Sequence, residues 1–423
     1  MKVKRFLGQH KVFLSSYVCN MLEMYDFIVI GMLLPHISPL FFPLEDKISI
    51  LLAGSVTFFM GFIMRPVGGI LFGYIGDIYG RKRALLGSIF GMAFATLCLG
   101  LLPTYSTIGI LAPILFIILR MVQGTCLGGE GQGANVFVLE HTKGINSGFI
   151  GGMLATSNGM AALLGFIISI YVTSESAPEG SWRLCYLLGT SVAILGWFLR
   201  THIDESPIFK IPVNNKTHRI PLIEAFKSYG VNMGYVFLGV GVSVALTYTG
   251  FTFVNILLSQ FVGLPQHISL TFAACGTVIG MFMVLLGGKV CDHVGAYKTL
   301  NISVMLMLIV VFPIHMFLAS GVYPLIALAL LLLAIPMGGI AGSLNHTIAS
   351  SFPTSARYSG AAFTNNMAQA ILGGTQPLIA LYLIKQTEVL WSPAIYLFIM
   401  GIVFLSYSYY NKVRITSFKL GSN

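Results

Sequence analysis

Two stretches, GYIGDIYGRKR from Gly73 to Arg83 and GKVCDHVGAYK from Gly288 to Lys298, decide how this chain is read. Each fits Gly-x-x-x-Asp-x-x-Gly with a base shortly after, and they stand 215 residues apart in a chain of 423. A pattern that returns at about half the chain length points to a duplicated fold. Both copies close a long apolar run, so they read as loops between helices. Gly73, Gly76 and Gly80 permit close backbone approach and a tight turn. Asp77 can accept charge-assisted hydrogen bonds or face a helix N-terminus, and Arg81, Lys82 and Arg83 can pair with acids nearby. Glu140 is a candidate partner. Gly73, Asp77, Gly80, Arg81, Lys82, Asp292 and Glu140 are therefore read as a gating motif, with a plain topogenic turn as the alternative.

Outward from these loops, apolar runs of about 20 residues recur every 30–40 residues, the length that crosses a bilayer core. The spans are drawn at 13–37, 50–74, 84–103, 108–138, 148–172, 184–202, 229–258, 268–288, 299–319, 322–348, 358–384 and 391–410. The chain is 56% apolar and 9% charged, with a mean hydropathy of +0.85. That is too little charge to cover a soluble domain. β-barrels show short alternating segments instead of continuous runs. The expected fold is an all-α membrane protein of twelve transmembrane helices in two six-helix bundles.

The net charge of +10 could suggest nucleic acid, but its placement argues otherwise. With both termini on one side, 19 of the 24 Lys and Arg fall on that side, Lys47, Arg183 and Lys385 on the other, and Arg65 and Arg120 within spans. This is the positive-inside asymmetry, and it puts both termini in the cytoplasm. The polar stretch at 204–228, rich in charge and Pro, is the seam between an N-terminal bundle (1–203) and a C-terminal bundle (229–423). The six cysteines have no metal-ligand spacing and read as packing residues. The basic start, Lys2 to Lys11, resembles a secretory leader. The apolar stretch after it is too long, however, and holds Glu23 and Asp26, so it reads as a retained first helix.

These residues resemble the major facilitator superfamily, whose signature is the duplicated Gly/Asp/basic loop. Within it the chain resembles the metabolite:H+ symporter family of proline/betaine, alpha-ketoglutarate, citrate and shikimate carriers. The resemblance is carried by CNMLEMYDFIVIG (Cys19 to Gly31), RPVGGILFGYIGDIYGRKR (Arg65 to Arg83), RMVQGTCLGGEGQGANVFVLE (Arg120 to Glu140) and FPTSARYSGAAFTNNMAQAILGGTQPLIA (Phe352 to Ala380), with ESPIF at Glu205 to Phe209. Met24 stands where the family usually has Trp, and Gly131 where an aromatic usually follows. The chain also ends soon after helix 12, without the coiled-coil tail of some osmosensing carriers, which argues against osmotic regulation. The resemblance implies alternating access about a central site lined by helices 1, 4, 7 and 10.

Ionisable groups within spans cost about 2.5–3.5 kcal/mol each on insertion scales, so each asks for a reason. Glu23, Asp26, Arg65, Arg120 and Glu130 all lie in the N-terminal half. A proton-coupled carrier needs a carboxyl whose affinity for a proton changes as its surroundings change. Asp26 and Glu130 are the first candidates and Glu23 the third, with static ion pairing as the competing reading. Arg120 and Arg65 can bind a substrate carboxylate bidentately or tie helices together, and Pro66 marks a bend beside Arg65. The C-terminal half offers neutral groups: Tyr248, Thr252 and Asn255 in helix 7, and Asn365, Asn366, Gln369 and Gln376 in helix 11, where Gly373, Gly374 and Pro377 allow a break. Of these, Tyr248, Asn255, Asn365 and Gln369, with Tyr25, complete the candidate substrate set. Tyr25 and Tyr248 can stack on a quaternary ammonium. His315 and His346 read as packing residues, and Gly124 and Gly128 as close-packing positions.

No Walker loop is present, and GGEGQG lies inside an apolar run, so it is no phosphate cradle. The reading is therefore of a transporter in a bacterial inner membrane and not an enzyme, with no metal or cofactor, protons as coupling ion, no nucleic-acid partner, and a monomer as the working unit. It imports a small zwitterionic or carboxylate metabolite. A proton-driven exporter of a small molecule or drug is the alternative.

Overall fold

A computed structural model describes the chain except residues 1, 80, 129–138, 140–145, 175, 179, 202–220, 354–356 and 416–423. Twelve helical segments follow one another: α1 (Lys2–Phe41), α2 (Lys47–Ile63, resuming as Arg65–Tyr79), α3 (Arg81–Leu101), α4 (Leu111–Gly128), α5 (Ser147–Val172) and α6 (Arg183–Thr201). The second half holds α7 (Pro221–Tyr248, continuing to Phe261), α8 (Gln266–Val294), α9 (Ala296–Ala319), α10 (Tyr323–Ser350), α11 (Arg357–Ala368, continuing to Thr387) and α12 (Ala394–Tyr410). Among the described residues, nine helices are long and apolar enough to cross a membrane, and two shorter apolar ones accompany them. All twelve expected spans find a helix. The seam is shorter than expected at its second end: helix begins at Pro221, with non-helical angles at Tyr229.

The outward faces carry Ile70, Phe90, Phe94, Ile167, Phe282 and Ile309, each more than half exposed. In water such faces would be a liability; against lipid they are the solvent-matched surface. Helix association in lipid then rests on close packing. A Cβ added at Gly68 would overlap the Thr125 carbonyl on α4, at Gly124 the Gly61 carbonyl on α2, and at Gly128 the Arg65 carbonyl. The glycines read as close-packing positions thus hold α2 against α4 backbone to backbone.

Three helices depart from regular geometry where it matters. α2 breaks at Met64, one residue before Arg65-Pro66. α11 opens into a wide, i→i+5 turn over Gln369–Gly373 before resuming at Gln376, close to the break expected from Gly373, Gly374 and Pro377. α7 has two such turns, Thr249–Phe253 and Leu257–Phe261, which composition does not announce. Wide turns of this kind often mark functional positions. The halves meet where α5 lies against α8 and α10, α2 against α11, and α1 against α7.

Replacing Gly124 by Val forces α2 and α4 apart, and overpacking of this sort costs about 1–3 kcal/mol. The expected outcome is a lower melting temperature of the detergent-solubilised protein, while Gly230→Ala, at a position with open space around it, leaves it unchanged.

Candidate functional site

A cavity of about 130 Å³ opens between the halves. Its walls come from α1 (Asn20, Met24), α2 (Arg65), α5 (Thr156, Asn158), α7 (Ser243, Thr247, Tyr248, Phe251), α8 (Met281), α10 (Asn345) and α11 (Asn365, Gln369). Among the described lining residues Arg65 is the one formal charge, and none is Asp or Glu. Its guanidinium is buried, lies 5.5 Å from the Phe62 ring centroid, and donates through Nη1 to Gln369 Oε1 at the start of the α11 wide turn. Tyr248 stands edge-on to Phe58 and Phe62, with centroids 5.5 and 5.3 Å away. Four of the expected substrate residues, Arg65, Tyr248, Asn365 and Gln369, therefore share one chamber.

The other three lie off that chamber. Tyr25 donates to the Cys185 carbonyl of α6 at 3.1 Å, and Asn255 to the Met32 carbonyl of α1 at 2.8 Å. Arg120 belongs to a separate buried chain: its Nη1 donates to Gln123 Oε1 at 2.7 Å, Gln123 Nε2 to Thr96 Oγ1 at 2.8 Å, and Thr96 Oγ1 to Asp26 Oδ2 at 3.0 Å. Asp26 is thus joined to Arg120 through two neutral side chains: Gln123, known from the sequence only as part of the Arg120 motif, and Thr96, which sequence reasoning passed over. A Thr in an apolar span looks like an ordinary interhelical tie, so nothing local could have singled out Thr96. Asp26 Oδ1 accepts no hydrogen bond among the described residues and faces the backbone of Gly189, where no side chain fits. Gly80, Glu130 and Glu140 lie outside the described residues, as do the side chains of Glu23, Gly73, Asp77, Arg81 and Lys82.

The ends of the seam are tied by different chemistry. At the end carrying the α1–α2 loop, Asp46 caps α2 by accepting from the Ile48 and Ser49 amides, and Lys385 of α11 reaches it at 3.0 Å. Lys47 donates to the Gln260 carbonyl at 2.9 Å nearby. At the other end Asp292, from the second copy of the repeated motif, accepts from the Gly148 and Phe149 amides at 2.7 and 2.9 Å. Those amides have no intrahelical acceptor at the start of α5, where the helix dipole favours negative charge. His346 Nδ1 meets Ser147 Oγ at 2.7 Å, and Asn345 donates to the Gly151 carbonyl at 2.8 Å. His346 is thereby a contact between the halves, which a lone histidine in an apolar run does not reveal. His315 hydrogen-bonds the Val311 carbonyl on its own helix.

With this geometry in view, the known relatives can be placed. The sequence matches the major facilitator superfamily over residues 16–377. The chain belongs to that superfamily. It is 30% identical over 412 residues to the proline/betaine transporter of Salmonella typhimurium, covering 93% of this chain and 81% of the relative. It is 29% identical over 419 residues to the glycine betaine/proline/ectoine/pipecolic acid transporter OusA of Dickeya dadantii, with the same coverage. The xylose transporter XylE from E. coli, in a partially occluded inward-open conformation, superposes with a TM-score of 0.73 at 17% identity, over 95% of this chain and 97% of that one. This member of the superfamily is a membrane transporter of the twelve-helix fold.

Hydrogen bonds from Ser49 and Lys385 hold the Asp46 carboxyl below the usual carboxylate range. A carboxylate depressed in the folded state stabilises it above its unfolded value, and that contribution disappears as pH falls through the lower folded value. Asp46 therefore stays ionised, and its tie to Lys385 intact, from neutral pH down to the ordinary carboxylate range. Lys385→Ala should raise maleimide labelling of a cysteine placed at Asn255, and lowering the pH from 8 to 5 should not reproduce that rise.

Thr96→Val removes the donor to Asp26 and the acceptor of Gln123 together. Leaving buried polar groups without partners costs about 1–3 kcal/mol each, so this variant should melt below wild type, and further below it than Thr107→Val.

Proposed function

We propose that this chain is a proton-coupled symporter that imports a small zwitterionic or carboxylate metabolite by alternating access. The observation that carries the reading is the cavity at the seam, where Arg65 is the one charge among the described lining residues. A guanidinium there favours a carboxylate, which it can hold bidentately. Met24, Tyr248 and Phe251 line the same chamber, and aromatic faces receive a secondary or quaternary ammonium by cation–π attraction. The volume is of the order of the ~150 Å³ cavity that takes a single benzene ring, so a one-ring or smaller solute suits it. The proline/betaine transporters among the relatives support a substrate of this class.

The proton carrier in this reading is Asp26. It is buried, lies off the substrate chamber, and has one oxygen committed to Thr96. Rocking of the halves changes its surroundings and with them its affinity for a proton. The Thr96–Gln123 chain links that event to Arg120 on α4. The positive-inside asymmetry supports a bacterial inner membrane with both termini in the cytoplasm. No cofactor or metal takes part in this scheme, nor any catalytic step, and a single chain contains the whole pathway.

In proteoliposomes under an inward proton gradient, labelled proline or glycine betaine should accumulate and be lost on adding protonophore. Asp26→Asn should abolish accumulation while retaining exchange of solute down its own gradient. Efflux of preloaded solute driven by the same gradient would replace import by export.

A further inference from the structure

We infer that Asn20 and Asn158 form a second recognition point in the chamber, which takes a neutral donor–acceptor group of the solute, a hydroxyl above all. The inference rests on the carboxylate reading given above and adds what the solute carries besides its acid.

Asn20, Met24 and Ile28 follow at four-residue steps and put one stripe of α1 into the chamber. Leu154 and Asn158 do the same from α5. The two asparagines belong to a chain of hydrogen bonds whose directions are fixed. Ser157 Oγ donates its one proton to the Leu154 carbonyl at 2.6 Å, so towards Asn20 it can only accept. Asn20 must then present its amide nitrogen, which donates to Ser157 Oγ at 2.6 Å and to Asn158 Oδ1 at 2.9 Å. Both amide hydrogens of Asn20 are thereby spent, and Asn158 turns its oxygen towards them. One acceptor, Asn20 Oδ1, and one donor group, Asn158 Nδ2, are left over. Among the described residues neither has a hydrogen bond, and neither is sealed away from open space. Each shares an amide with one end of that 2.9 Å bond, so the two stand within reach of one small solute. Other polar side chains of the lining are spent differently. Thr156, Thr247 and Thr277 donate to carbonyls of their own helices at 2.7, 2.8 and 2.9 Å, and Asn345 donates to the Gly151 carbonyl.

α1 and α5 belong to the same half, so the pair keeps its geometry as the halves rock. A fixed donor beside a fixed acceptor suits a group that accepts and donates at once, and a hydroxyl is the smallest of these. A methylene in the same place would displace water and leave both amide atoms without a partner, which is how such a site discriminates. Arg65 enters the chamber from α2, so carboxylate and hydroxyl are read by different helices.

The test uses the full-length protein in detergent and measures binding by calorimetry, with matched solutes that differ by one hydroxyl. Proline is compared with cis- and trans-4-hydroxyproline, and succinate with malate. In the wild type at least one hydroxylated member should bind about 3–10-fold tighter than its parent, the scale of one hydrogen bond. Asn158→Leu should bring that ratio to about one while the parent's affinity stays within about twofold. Asn158→Ala should do the same, and serves if the larger side chain disturbs folding. A tie that only holds α1 to α5 would weaken parent and hydroxylated solute alike, and that result overturns the inference. So does a preference that survives both substitutions, or a wild type that binds no hydroxylated member more tightly than its parent. Erythritol is the uncharged probe. If no carboxylate-bearing solute binds while erythritol does, and Asn158→Leu abolishes its binding, the carboxylate reading has failed and the asparagine pair stands. Binding of neither class overturns both.

Discussion

A guanidinium placed in hydrocarbon has to be answered from within the protein, because lipid offers it nothing. Arg65 is answered across the seam by Gln369 and from below by the ring of Phe62. That requirement couples the two halves beside the cavity more directly than any apolar contact could. Apolar packing in a membrane is nearly indifferent to whether a Leu meets another Leu or a lipid tail. The buried cation is not indifferent. Its bond to Gln369 ties α2 to α11 beside the cavity that both side chains line.

The irregular backbone follows from the same constraint. A helix in lipid keeps its amides and carbonyls paired, so breaks are tolerated where protein surrounds them. α2 breaks at Met64 beside Arg65, α11 widens at Gln369, and α7 widens just beyond Tyr248. All three departures fall on helices that line the chamber. Among the described residues, a hydrogen-bonded chain through Gln123 and Thr96 joins Asp26 to Arg120. A direct ion pair would fix both charges. Among the described residues, the chain of neutral donors and acceptors leaves one carboxylate oxygen without a hydrogen bond.

The two ends of the seam are held by interactions of different strength. Asp46 and Lys385 are each more than a third exposed, at 52% and 39%, so solvent and salt screen their attraction and the tie is modest. Asp292 instead meets two backbone amides at a helix start, a geometry fixed by the fold of α5 and favoured by its dipole. Both ties use residues from opposite halves, and so both must be released and remade as the halves rock.

Much of this architecture was open to reading from the residues in order. Apolar run length sets the number of spans, and the repeated glycine–aspartate loop marks the two halves, because both are properties of contiguous sequence. The breaks beside Pro66 and around Gly373–Pro377 were legible for the same reason: proline and glycine act on the backbone where they stand. The site was legible only as a list of costly residues. Arg65, Tyr248, Asn365 and Gln369 share a chamber, whereas Tyr25, Arg120 and Asn255, no less plausible by type, turn to carbonyls or amides elsewhere. Thr96 and Gly189 carry no local signal at all, since their importance lies in facing Asp26 from α3 and α6, and Gln123, part of the Arg120 motif, shows its role only where it meets Thr96. Sequence alone determined what kind of object this is, because the bilayer acts on each span by itself. Which polar groups meet was decided by tertiary structure, because in a helical bundle each wall of a site comes from a different part of the chain.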